Sequence, residues 1–437
     1  MIEHRVGRVL IVSPHFPPVN APDMQRVRMS LPYFQEFGWQ PYTLAVAPTS
    51  GEPVEPLLGE TIPPNLDVER VRGVPAAISK WVGVGNPALR ALPSLYAAGA
   101  RTIARHGIDL VYFSTTMFHA MPLGRIWRRR FGVPYVLDIQ DPWLSDYYEQ
   151  HPESSPPPKY SIARRVHAIL EPWTMKKVSG LIAVSDAYLT TLRARYPWLT
   201  AEMCTTLPFA ASTRDFELLG THPQPNRVFN KQDGRVHGVY VGRGGDDMKP
   251  ALRILFDSLK AGIATAPAVF GALALHFVGT DYATDGRARK TIEPLARESG
   301  VEAAVTEQTG RVPYFEALQL LADADFLLLI GSDDAGYTAS KVYPYLLAGK
   351  PIVAVVHERS SLVKVLKDAR AVVVTFSGNG ENRAGDELLA RWRQLLALDG
   401  RPVIDEATIG RYSAREMTRR QCVVFDEVIA RAGKRAA

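Results

Sequence analysis

Two stretches of the chain bring together residues suited to holding phosphate. The first is Thr338-Ala339-Ser340-Lys341, which leads through an apolar helical run to Gly349-Lys350-Pro351. It follows the apolar segment Phe326–Ile330, so the amides of Ala339, Ser340 and Lys341 would open a helix at the carboxyl edge of a sheet. Unpaired N–H groups there favour an anion. The same residues also fit a plain helix that stops at Gly349. The second stretch, Val239-Tyr240-Val241-Gly242-Arg243-Gly244-Gly245-Asp246-Asp247-Met248-Lys249, reads as a strand, a glycine-rich turn and a helix start. Gly242 lets the backbone approach a phosphate closely, and Arg243 and Lys249 supply charge that a diphosphate would neutralise.

Other chemistry-bearing residues stand alone. His119 opens a helical segment after an apolar run, where it can orient a hydroxyl or simply cap the helix. Asp333 and Asp334 precede the first stretch and are either acceptors for ribose hydroxyls or solvated turn residues. No Gly-x-Ser-x-Gly, His-Glu-x-x-His, P-loop or paired Cys and His spacing occurs, so serine hydrolysis, zinc proteolysis and P-loop phosphoryl transfer lack their motifs. The two cysteines, Cys204 and Cys422, are too far apart in sequence for a metal motif and suggest a reducing, cytoplasmic compartment.

Short runs rich in Val, Ile and Leu alternate with segments of helical period along the 437 residues, the pattern of parallel sheets covered on both faces. That length exceeds a single core. Strands are expected near Arg8–Ser13, Pro41–Ala47, Val68–Val71, Asp109–Ser114, Pro134–Asp138, Gly180–Val184 and Met203–Leu207, and again near Val236–Val241, Leu273–Val278, Ala303–Thr306, Phe326–Ile330, Ile352–Val356 and Ala371–Thr375. Two doubly wound domains follow, over 1–212 and 228–405, with a turn-rich linker at 213–227 and a helical tail at 406–437 returning toward the first domain. Such sheets bind ligands at their carboxyl ends, which would face one central cleft. The net charge of +6 is spread without a long basic run, which leaves nucleic acid without a binding tail. No stretch reaches the roughly 18 uninterrupted apolar residues of a spanning helix. Arg125–Phe131 and Lys159–Lys177 mix basic and bulky apolar residues at helical spacing; they are either solvated helices or a face for an anionic membrane.

The run Ser340-Lys341-Val342-Tyr343-Pro344-Tyr345-Leu346-Leu347-Ala348-Gly349-Lys350-Pro351 resembles the sugar-nucleotide signature Ser-Lys-x-x-Glu-Tyr-Leu-x-x-Gly-x-Pro of glycosyltransferase family 4. That resemblance implies an α/β protein of GT-B type with two Rossmann-like domains, and transfer of a sugar from a nucleotide diphosphate with retention at the anomeric carbon. The implied acceptor is a glycan or glycolipid of a bacterial surface pathway, and no metal or cofactor is expected. The family's ribose-binding glutamate is Pro344 here, and its earlier acidic position is Gly336. In the family, residues placed like Arg243 and Lys249 grip the pyrophosphate. Gly279 matches the next strand-glycine turn, and Gly310-Arg311-Val312-Pro313 resembles the nucleobase loop.

In the first half, Asp141 of Gln140-Asp141-Pro142-Trp143 resembles the Asp-x-Trp turn at the acceptor pocket and is assigned a carboxylate near the transferred sugar. Asn20 stands where the family has glycine, and Arg26 is either a donor- or acceptor-side contact or a surface charge. The expected partners are a nucleotide sugar and a lipid-linked or glycan acceptor, met in the cytoplasm or at the inner membrane face. The alternatives are a GT-B protein that binds without turnover, and another GT-B enzyme such as a sugar epimerase.

Overall fold

The computed structural model describes residues 6–49, 51–75, 86–144, 160–281, 287–334, 340–377, 381–397, 404 and 406–436. Two compact units emerge: residues 1–209 with 414–437, and residues 210–413. The first holds a seven-stranded sheet of β1 (Gly7–Val12), β2 (Trp39–Val46), β3 (Asp67–Val71), β4 (Leu110–Ser114), β5 (Tyr135–Ile139), β6 (Gly180–Ala183) and β7 (Cys204–Thr206). Its spatial order is β3-β2-β1-β4-β5-β6-β7, every pairing parallel. The second holds β8 (Val236–Val241), β9 (Leu273–Val278), β10 (Val305–Gln308), β11 (Phe326–Ile330), β12 (Ile352–His357) and β13 (Val372–Phe376), in the order β10-β9-β8-β11-β12-β13. Each order reverses once, between β1 and β4 and between β8 and β11. Those are the switch points at which doubly wound sheets open a crevice beyond their carboxyl ends.

Burial explains the strand composition. The central strands β4 and β11 are buried at every residue and carry Leu-Val-Tyr-Phe-Ser and Phe-Leu-Leu-Leu-Ile, while the edge strand β10 alternates buried and exposed. Among the described residues up to 209, the first unit has helices α1 (Gln25–Ser30), α2 (Pro56–Glu60), α3 (Pro87–His106), α4 (Pro122–Phe131), α5 (Tyr160–Met175) and α6 (Asp186–Arg195). Helix α3 starts where Asn86 accepts the Leu89 amide at 3.0 Å with Pro87 at the first position, and it packs so closely that a Cβ on Gly99 would collide with the Trp127 ring of α4.

The second unit contains α7 (Thr213–Thr221), α8 (Lys249–Thr265), α9 (Pro267–Phe270), α10 (Ile292–Ser299), α11 (Tyr314–Asp323), α12 (Val342–Leu347), α13 (Leu362–Asp368), α14 (Glu381–Ala397) and α15 (Glu406–Arg411). Its core gathers Tyr240, Leu255, Phe277, Leu328 and Trp392. The last helix, α16 (Ala414–Ala436), belongs to the first unit. There Phe425 packs on Phe34, Trp39 and Tyr112 with ring centroids 6.1, 5.3 and 5.2 Å away, and Trp39 Nε1 donates to Asp426 at 3.0 Å.

The boundaries differ from the sequence expectation. Much of the 213–227 segment read as a linker is helix α7, held in the second unit by a buried Asp215 that accepts from Ser212 Oγ at 3.1 Å and from Tyr314 OH at 2.7 Å. The turn-forming residues begin at Gly220, inside the last turn of this nine-residue helix, and they hid it in the sequence. The tail read as one segment from 406 is split likewise, α15 lying in the second unit and α16 in the first.

Candidate active site

At the switch point of the second unit, β8 runs into Gly242, whose φ of 145° suits glycine. A Cβ there would also collide with Lys341 Nζ. Tyr240 OH donates to the Arg243 carbonyl at 2.7 Å, which shapes the turn. The Arg243 guanidinium grips Asp247 through two bonds of 2.9 and 2.7 Å. Desolvation works to raise the Asp247 carboxyl, but its bonds to Arg243 and then to Ser332, just beyond β11, outweigh that and hold it below the usual range.

Lys341 completes the cluster. Its Nζ lies 3.9 Å from the centre of the Tyr240 ring and 2.5 Å from the Tyr240 hydroxyl. Burial, and then the charge of Arg243, push this ammonium down to about 7, against the pull of Asp247. The neighbouring Tyr345 hydroxyl accepts the Val241 amide at 2.9 Å, tying α12 to the end of β8. Lys249 stands apart, half-exposed, in an ion pair of 2.9 Å with Asp246. Lys341, expected mainly for its amide, is thus the second cation beside Arg243.

Helix α12 starts at Val342, with Lys341 as its cap residue and Ser340 exposed in the turn before it. Ala339 and Gly336 lie outside the described residues. Pro344 falls in the first turn of this six-residue helix, where its missing N–H costs little. Asp333 and Asp334 are exposed; the Asp333 amide donates to the Asp247 carbonyl at 2.9 Å and the Asp334 amide to Ser332 Oγ at 3.1 Å. Gly279, with φ 75°, follows β9 and sits opposite Arg311. Arg311 and Val312 line a pocket with Pro225, Val228 and Gln308.

The first unit has its own constellation beyond β1, β4 and β5. His15 Nδ1 lies 2.7 Å from the Asp23 carboxylate, which also accepts from Thr115 Oγ1 at 2.7 Å and the Thr116 amide at 3.2 Å. Desolvation lowers the His15 imidazole, but the bond and charge of Asp23, with Glu52 behind, outweigh it and leave the imidazole raised. Asp141, at the mouth of β5, keeps an exposed side but is crowded by protein on the other, and that partial desolvation and then the Asp23 charge push its carboxyl up to about 6. His119 is half-buried with no bond to Nδ1, its ring 5.2 Å from His167 of α5; burial and then His167 lower it, favouring the neutral imidazole. His167 in turn sits 6.2 Å from Trp143.

Two expected ligand contacts are spent inside the protein instead. Arg26 is buried, its Nε 2.8 Å from Asp138 and its two terminal nitrogens donating to the carbonyls of Pro208 and Leu207 at 3.0 and 2.7 Å. Asp138 Oδ2 takes Ser114 and Gln140 as well, so Arg26 neutralises a buried carboxylate. Asn20 is buried too, its amide donating to Glu55 at 2.5 Å and its backbone N–H to the Pro53 carbonyl at 2.8 Å. Helix spacing placed Arg26 near the sheet edge but carries no information about which side of the edge it fills.

Residues 25–210 match the family described as Glycosyl transferase 4-like domain. Solved structures align over nearly the whole chain. Anabaena HepE in complex with UDP has 17% identity and a TM-score of 0.58, covering 96% of this chain and 99% of its own. A glycosyltransferase from Rickettsia africae has 12% identity and a TM-score of 0.55, covering 97% and 98%. A UDP-forming trehalose-phosphate synthase from Burkholderia xenovorans has 14% identity and a TM-score of 0.54, covering 99% and 100%. No curated protein matches the sequence. The two parallel sheets and these alignments give the chain the GT-B fold. In the first unit, sequence reasoning missed His15, Asp23 and His167. His15 was legible as the polar residue after β1, but the bond to Asp23 needs the loop between them closed.

Proposed function

We propose that this protein transfers a sugar from a nucleotide-diphosphate donor to a glycan or lipid-linked acceptor. The observation that carries the reading is the convergence of Arg243, Lys341 and the Gly242 turn at the switch point of the second sheet. Two cations there match a diphosphate, and they would stabilise the charge that grows on the leaving phosphate as the glycosidic bond breaks. Asp247 already fixes the Arg243 guanidinium, so binding costs little reorganisation. The Arg311–Val312 pocket suits the base, and Asp333 and Asp334 are the carboxylates left to take the ribose in place of the residue at Pro344. Anabaena HepE has been crystallised with UDP-glucose and aligns with this chain at a TM-score of 0.54, which makes uridine diphosphate sugars the first donors to test.

In the first unit, Asp141 is the carboxylate assigned to the chemical step, and the neutral His119 would orient the acceptor hydroxyl. The reading extends to retention at that carbon, to independence from metal and cofactor, and to a bacterial surface polysaccharide or glycolipid made at the cytoplasmic face of the membrane. No helix among the described residues is long and apolar enough to cross a membrane. Calorimetry with UDP, GDP and ADP, followed by transfer assays from the matching sugars to a lipid extract, tests it. Absence of binding to all three nucleotides would remove the donor assignment. A second reading, binding without turnover, is favoured by Pro344 and predicts nucleotide affinity with no transfer to any acceptor.

A further inference from the structure

Helix α5 exposes an apolar stripe. Ile162, Val166, Ile169 and Trp173 recur at spacings of four, three and four, so they share one face, and their exposures are 62, 41, 70 and 39%. Ile126 of the adjacent α4 is exposed too, at 38%. The two helices are joined where Arg125 lies 4.4 Å over the Trp173 ring and donates to its carbonyl at 2.5 Å.

Charge says what such a face can meet. Exposed Arg129, Arg165, Lys176 and Lys177 surround the stripe, and none has an ion pair among the described residues. Elsewhere in the unit acids are at hand for several exposed arginines: Arg101 pairs with Glu69, Arg415 with Glu36 and Arg419 with Glu416. The one acid on α4 and α5 is Glu171, which is buried and saturated by Arg195 at 2.8 Å, Tyr196 OH at 2.6 Å and the Leu144 amide at 2.9 Å. A second copy of this chain would bring the same positive charge to the contact. An anionic bilayer satisfies both features, taking the aliphatic side chains at the headgroup boundary and the cations among lipid phosphates.

We propose that the α4–α5 face docks the protein on an anionic lipid surface, so that α5 joins membrane and active site. This deepens the transferase reading and rests on it for the identity of the site. The side of α5 away from the stripe carries His167, next to His119 and to Trp143, which lies two residues beyond Asp141. An amphiphilic acceptor held in the bilayer would therefore offer its polar end to His119 and Asp141.

Co-sedimentation of the full chain with phosphatidylcholine vesicles, with and without phosphatidylglycerol, tests the docking. Binding is expected only to the anionic vesicles and should fall as salt rises. Arg129→Gln, Lys176→Gln and Lys177→Gln should each lower the partition coefficient about fivefold, and Ile162→Ser with Ile169→Ser should abolish sedimentation while leaving the thermal unfolding midpoint in place. Equal binding to both vesicles, or no binding to either, overturns the proposal. So does a concentration-dependent dimer that Ile169→Asp dissolves in the absence of vesicle binding. UDP-glucose calorimetry on the same variants without vesicles reports the donor site alone, so failure of the docking is distinguishable from failure of the transferase reading.

Discussion

Replacing Lys341 by methionine removes the ammonium from the cluster while keeping an unbranched side chain against Tyr240. A charge-assisted hydrogen bond contributes about 1.5–3 kcal/mol, so affinity for UDP-glucose should fall roughly 10- to 150-fold. The pH dependence is sharper still. Lys341 stands at about 7 in the free protein, lowered by burial and then by Arg243, whereas a bound diphosphate would hold it protonated. Binding then takes up a proton above that value: affinity is flat below about pH 7 and weakens about tenfold per unit above it, roughly 100-fold by pH 9 if the bound lysine titrates higher. Arg243 stays charged throughout and Asp247 stays ionised, so neither contributes a slope in this range. UDP-glucose is the right ligand because its diphosphate is esterified at both ends and has no second ionisation there. Calorimetry from pH 6 to 9 on wild type and on Lys341→Arg decides. A slope that arginine abolishes supports the assignment, and a flat wild-type profile or an unaffected methionine variant refutes it.

The other predictions concern the first unit. Arg26→Met strands the buried Asp138 carboxylate and should cost about 3–5 kcal/mol in denaturant unfolding, with much of the loss recovered in the Arg26→Met, Asp138→Leu double variant. A loss below about 1 kcal/mol would return Arg26 to the list of ligand contacts. For Asp141, raised to about 6 by partial desolvation and then Asp23, the carboxylate is the working form. Turnover should therefore drop tenfold per unit as pH falls below about 6, and Asp141→Asn should be slow with that limb missing; an acid limb that survives in the asparagine variant assigns it to another group.

Strand positions and the two-sheet architecture were legible because period and composition are properties of single segments. Leu273–Val278 and Phe326–Ile330 are continuous apolar runs, and any chain that alternates them with helices must wind its sheet in a restricted set of ways. The Gly242 turn was legible for the same local reason. What stayed hidden depends on partners distant in sequence. Nothing near Arg26 announces Asp138, 112 residues on. The side chain of Lys341 found Tyr240, 101 residues back, and that contact turns a candidate backbone site into a side-chain one. Short helices such as Thr213–Thr221 escaped because a few turns hold too little periodic signal to stand out from a loop.

The last helix gives the chain an order of assembly. A ribosome releases residues 1–209 while the segment carrying Phe425 and Val428 is still some two hundred residues away, yet Phe425 fills the space between Phe34, Trp39 and Tyr112, and Val428 packs where a side chain on Gly180 would stand. The nascent first unit must therefore wait with an apolar seat uncovered until the second unit has been made. Fragments cut at the unit boundary inherit the same gap. Separate production of the first unit calls for residues 414–437 to be supplied with it, either in trans or spliced directly after Phe209.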